Sequence, residues 1–153
     1  MVIILISVLT VLAVNACYSD WKERQISNRL VSLNFIICLL LAMLLDISQL
    51  WQGLIIALGT FIIGLFLFRF KVFGAGDVKL LMGYSLCFSF PLALDNLIGF
   101  LVAGGVVVAL QFSWAYITAG YQELKNRGVP YGIAIASVST FNIVHRVLES
   151  SQL

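Results

Sequence analysis

Four of the seven acidic residues, Asp20, Asp46, Asp77 and Asp95, stand at or near the ends of long apolar runs. Two of them have neighbours suited to chemistry. Asp77 closes the string Gly74-Ala75-Gly76-Asp77 and leads straight into an apolar segment. Asp20 closes the first apolar run and is followed by a polar turn ending in Ile26-Ser27-Asn28. Two carboxyl groups hydrolyse a peptide when one is ionised and the other protonated. The first takes a proton from water and the second donates to the carbonyl oxygen. Bringing two carboxyls together favours that state, because both do not ionise easily at short range and the pair titrates as a unit. Gly74 and Gly76 add no bulk, so an extended peptide or a neighbouring helix can approach the backbone. Bland roles exist for each acid. A helix N-terminus favours Asp77 through its dipole alone, and Asp20 also reads as a charged cap beside a basic loop. Asp46 and Asp95 read as solvated turn residues.

These acids must be held by elements that live in lipid. The 153 residues are 61% hydrophobic and 10% charged, with a mean hydropathy of +1.06. A soluble domain is about 45–50% apolar and roughly 25% charged, so a cytosolic globule is excluded. A disordered chain is excluded too, since it would be poor in apolar residues. A bilayer core takes about 20 apolar residues per helix, so one domain over 1–153 holds about six short spans and little else. The apolar runs are 2–19, 30–45, 51–68, 78–94, 97–119 and 131–148. Inside lipid each segment must satisfy its own backbone groups, and a barrel would show alternating segments of about ten residues. The expected fold is therefore all-α and polytopic.

The basic residues orient it. Lys22, Arg24 and Arg29 follow span one; Arg69, Lys71 and Lys79 flank the loop after span three; Lys125 and Arg127 follow span five. The loops after spans two and four hold none, and Arg146 lies near the end. Loops rich in Lys and Arg stay cytoplasmic, which predicts both termini outside and both Asp20 and Asp77 at the cytoplasmic face. Trp21, Trp51, Tyr121 and Tyr131 fall near expected interfaces, where such side chains collect.

The remaining features read structurally. A net charge of +2 without a basic run argues against nucleic acid as a partner. Cys17, Cys38 and Cys87 form no C-x-x-C pair and read as small buried hydrophobes rather than metal or redox ligands. Residues 2–16 lack the basic start of a signal peptide, so they read as a retained first helix. His145, the single histidine, has no second ligand nearby in sequence, so no metal is expected. Nothing suggests nucleotide, haem or flavin, and no cofactor is expected. Lys79 either bears on the Asp77 charge or snorkels to the interface. Asn28 either bonds near the site or caps a helix. Gly53, Gly59, Gly64, Gly99, Gly104 and Gly105 read as close-packing positions between helices, and the stretch 120–128 as a solvated loop.

Three stretches together resemble the type IV prepilin peptidases. Asp20-Trp-Lys-Glu-Arg-Gln-Ile26-Ser27-Asn28 is similar to the family's aspartate followed by an Ile-Pro-Asn turn. Gly74-Ala75-Gly76-Asp77-Val78-Lys79-Leu80 matches its G-x-G-D signature. Val129-Pro130-Tyr131-Gly132-Ile133-Ala134-Ile135-Ala136 resembles the segment opening its last helix. Ser27 stands where the family often has Pro; serine still suits a helix N-cap. The resemblance implies a membrane aspartyl endopeptidase with Asp20 and Asp77 as the catalytic pair and Gly74, Gly76, Lys79 and Asn28 in support. It implies prepilins or pilin-like precursors with a short basic leader as substrates, cut at the cytoplasmic face of the inner membrane. The paired cysteines of the longer, methylating members are missing, so no methyltransferase activity is expected; the short form resembles the peptidases of tight-adherence (Flp-type) pili. The rival reading is a non-enzymatic transport or assembly subunit using the same acids for ion binding or helix pairing. Such acids would lie near mid-bilayer rather than at one face.

Overall fold

The apolar runs fold as helices in the computed structural model, which describes residues 1–45, 49–70, 72–117 and 129–150. In chain order these are α1 (Val2–Glu23), α2 (Asn28–Leu45), α3 (Leu50–Arg69), α4 (Ala75–Ser85), α5 (Phe90–Ile117) and α6 (Tyr131–Ser150). No strand occurs among the described residues. Asp46, Lys71, Tyr121, Lys125, Arg127 and the stretch 120–128 lie outside them.

Polar residues mark the helix ends. α1 stops at Arg24, whose φ of 54° is left-handed and whose N–H reaches the Asp20 carbonyl at 3.1 Å. Ser27 then caps α2 as its type suggests, its hydroxyl accepting from Leu30 N–H at 3.3 Å.

The fourth segment departs from the expected 78–94. α4 covers only 11 residues and closes in a tight turn, with Leu86, Cys87 and Phe88 N–H bonding back to Gly83, Tyr84 and Ser85 carbonyls. α5 starts at Phe90, ahead of the expected break at Asp95-Asn96. Pro91 is tolerated in a first helical turn, and no Gly or Pro follows until Gly99 to stop the helix. Asp95 is therefore an exposed helical residue rather than a turn residue. Asn96 is buried and accepts from Asn142 of α6 at 3.2 Å.

Contacts along the helices set their directions. Lys79 meets Asn28, Gly83 lies against Asn34, and Cys87 bonds the Cys38 carbonyl, so α2 and α4 run parallel. Thr140 bonds the Tyr84 hydroxyl at 3.2 Å, and Arg146 reaches Cys87, so α6 runs parallel to both. α1, α3 and α5 run the other way. α4 is the inner helix, in contact with α2, α3 and α6. Close approach uses small residues: a side chain at Gly53 would strike the Leu86 backbone, and one at Gly64 would strike Val78. Gly99 likewise lies close to Val138. Gly59 and Gly105, expected to be packing positions, have no neighbour at all where a side chain would sit; they lie on outward faces of α3 and α5.

Those outward faces are apolar. Leu58, Ile62, Ile63 and Phe66 on α3 and Leu97, Ile98, Leu101 and Val102 on α5 are each well exposed. A soluble monomer rarely exposes such a surface; lipid accepts it. α1, α2, α3 and α5 are each long and apolar enough to cross a membrane.

Candidate active site

Three parallel helices, α2, α4 and α6, begin at one end of the bundle, and the two aspartates are there. Asp77 is the third residue of α4. Its Oδ2 accepts from the N–H of Gly74, the residue that precedes the helix, at 3.1 Å. The contact is half of a capping box, because Gly74 has no side chain to complete it. Asp20 comes from the last turn of α1 and reaches across to α6. Its Oδ2 accepts from Ile133 N–H at 3.2 Å, a donor shared with the Pro130 carbonyl at 3.4 Å. Each carboxyl group thus sits at the positive end of a helix, one in its own helix and one in a helix 113 residues away in sequence. Neither is a solvated cap: Asp20 is 5% exposed and Asp77 7%. The Asp20 charge bears on Asp77, and Arg24 bears on Asp20.

Ile26, in the turn between α1 and α2, fills the space between these helix starts. A Cβ added at Gly76 would meet the Ile26 Cβ at 3.2 Å. One added at Gly132 would meet the Ile26 Cδ1 at 2.7 Å and the Asp20 Oδ2 at 2.7 Å. The glycine before Asp77 therefore admits a neighbouring turn, and Gly132 admits the Asp20 carboxyl itself. An aromatic group adjoins this end. Phe73, directly ahead of Gly74, lies 5.1 Å from Tyr131 and 5.8 Å from Phe100 between ring centroids. Tyr131 is thus half-buried in packing.

One helix, α3, runs on past the level of the site. Val78 packs at the level of Gly64, and α3 continues for five residues to Arg69, or roughly 8 Å at 1.5 Å per residue.

Of the residues singled out in the sequence, Asp20, Asp77, Gly74 and Gly76 gather here. Lys79 and Asn28 meet each other instead: Lys79 Nζ donates to Asn28 Oδ1 at 3.1 Å, with both side chains exposed. Their pairing joins α4 to the start of α2 on the rim. His145 pairs with Glu149 at 3.5 Å on the exposed far end of α6. Cys38 and Cys87 are buried free thiols and Cys17 is half-buried. Sequence reasoning gave no role to Ile26, Gly132 or the Ile133 amide. All three lie in strings it singled out, Ile26 after Asp20 and Gly132-Ile133 opening α6, but neither string says by itself that α6 reaches Asp20.

Six helices among the described residues, lipid-facing apolar surfaces and a buried acid pair at one end of the bundle define a multi-pass membrane protein. The model of the type IV leader peptidase family matches residues 4–112. The chain belongs to that family, and is therefore a peptidase by class. The match takes in both aspartates and stops short of α6. No curated protein and no solved structure matches the chain.

Proposed function

We propose that the protein is a membrane aspartyl endopeptidase that removes the short basic leader from prepilin or pilin-like precursors, with Asp20 and Asp77 as its catalytic pair. The observation that carries this reading is the placing of two buried acids from α1 and α4 at one end of the bundle, held at helix starts that share Ile26 as a neighbour. In this mechanism one carboxylate takes a proton from a water held between the pair. The resulting hydroxide attacks the scissile carbonyl, and the protonated partner donates to the carbonyl oxygen. A proton then passes to the leaving amine and the peptide bond breaks. No metal or other cofactor enters any step.

The distribution of Lys and Arg supports an orientation in the cytoplasmic (inner) membrane with both termini outside and the acids at the cytoplasmic face. In this topology α4 and its closing turn make a short fourth crossing. A basic leader remaining in the cytoplasm then meets the site where its apolar helix enters the bilayer. Gly74, exposed ahead of α4, leaves that helix start open to the peptide backbone, while Gly76 is taken up by the Ile26 turn. Acids gathered at one end of the bundle favour this reading over ion transport. Cleavage without N-terminal methylation is expected.

The test is leader cleavage by purified protein, with products identified by N-terminal sequencing. Asp20→Asn and Asp77→Asn each abolish cleavage while the protein still inserts. Full cleavage by either variant overturns the mechanism.

A further inference from the structure

We infer that the start of α6 is the positioning element for Asp20, with Gly132 making room for its carboxyl group and the Ile133 amide holding it. The inference rests on Asp20 being one of the catalytic acids. It concerns a helix that lies outside the family match, which ends at residue 112.

Asp77 needs no outside help, since its carboxyl is bonded within its own first turn by Gly74 N–H. Asp20 lies at the C-terminal end of α1, where the dipole is unfavourable to an anion and the helix offers carbonyls rather than amides. Its donor must come from another element. The start of α6 supplies it: Ile133 N–H at 3.2 Å, with the Gly132 amide also acting on the same carboxyl. Those amides come this close because position 132 has no side chain. A Cβ there would stand 2.7 Å from the Asp20 Oδ2 and 3.0 Å from its Cγ. The carboxyl is the terminus of a side chain and can swing aside, whereas the backbone of α6 is held by packing against α1, α4 and α5. An added methyl group therefore displaces the carboxyl from its donors and leaves the fold in place.

The same methyl group would also stand 2.7 Å from the Ile26 Cδ1, so a packing role for Gly132 and a positioning role make different predictions. Gly132→Ala is assayed on a synthetic precursor carrying a basic leader, a glycine at the cut and an apolar helix. The expected result is a kcat lower by about 10²-fold, the scale of a misplacement near 1 Å, with KM within about twofold. Adding Ile26→Val removes the clash with Cδ1 and does not restore kcat. An unchanged kcat in Gly132→Ala, or full restoration by Ile26→Val, overturns the inference.

A second variant replaces Ile133 by its α-hydroxy acid, which deletes the N–H, adds no bulk and serves even where Gly132→Ala does not insert. The infrared bands of the Asp20 carboxyl, assigned by their loss in Asp20→Asn, shift in this variant and kcat falls. Unmoved bands overturn the positioning role whether or not the precursor is cut. Wild-type protein that cuts no precursor while these bands do shift would count against the proposed peptidase substrate and not against the positioning of Asp20.

Discussion

Where α4 and α6 begin, two carboxyl groups are buried; where α4 ends, a guanidinium reaches it. Arg146 of α6 donates to the Cys87 carbonyl at 2.7 Å and to Gln49 Oε1 at 2.9 Å. Parallel helices put their positive ends together and their negative ends together. Acids at one end and a cation at the other answer both. The two ends differ in how completely their charges are engaged. Arg146 ties the turn after α4 to the residue preceding α3, and its planar fork suits two acceptors at once. The acids meet backbone amides through Oδ2, an arrangement that holds a carboxyl while leaving lone pairs for a water. Charge at the far end joins helices. Charge at the near end is oriented and kept available.

This contrast can be broken most directly at the near end. Asp20→Asn and Asp77→Asn are each expected to lower leader cleavage by on the order of 10²–10⁴-fold, the range for losing a general acid or base, with little change in the thermal unfolding of the protein in detergent. A comparable loss of stability in either variant would make the acids structural, like Arg146. Next in size is the pH profile of cleavage. The pair needs one proton, so rate falls in acid, where both carboxyls are protonated, and again in alkali, where both are ionised. The alkaline limb should drop with a slope of about one in log rate against pH, and a flat profile would remove the shared proton.

The far end should behave in the opposite way. Arg146→Met leaves the Cys87 carbonyl and Gln49 without this donor, at a cost of about 1–3 kcal/mol in stability, while kcat of the folded protein stays near the wild-type value. Loss of turnover with stability intact would erase the distinction between the ends. Gly53→Ala sets a methyl group against the Leu86 backbone, which cannot swing aside as the Asp20 carboxyl can. A melting curve should show destabilisation of about 1–3 kcal/mol. The smallest effect is expected on the rim: Lys79→Met removes an exposed hydrogen bond to Asn28 and should shift stability by no more than about 0.5 kcal/mol.

Much of the fold was legible in advance, because a helix in lipid satisfies its backbone within its own segment. Four of the six apolar runs became helices of nearly the expected extent. The fourth run was misread where α4 gives way to α5. Leu86 to Ser89 are no more polar than a helix interior, and the break there is made by turn hydrogen bonds rather than by a Gly or Pro. The glycine reading held at Gly53, Gly64 and Gly99 and failed at Gly59 and Gly105. Gly53 and Gly59 look alike in sequence, but one faces Leu86 and the other faces outward, a difference set by the neighbouring helix.

The candidate site divides along that line. Asp77 with Gly74 and Gly76 is a local arrangement: the carboxyl bonds an amide three residues away, so its signature is written in consecutive residues. Asp20 was picked out by its position at the end of an apolar run, and its partner lay out of sight. The sequence by itself determined that the chain is helical and lipid-embedded, and which acids stand at segment ends, because those properties follow from composition and short-range spacing. Only the tertiary structure decided that α2, α4 and α6 run parallel with their starts together, that Ile26 fits between Gly76 and Gly132, and that Lys79 turns to Asn28. It also decided that Asp20 is held by an amide 113 residues away. Such contacts depend on how finished helices pack against one another, and packing across that distance leaves no periodic trace along the chain.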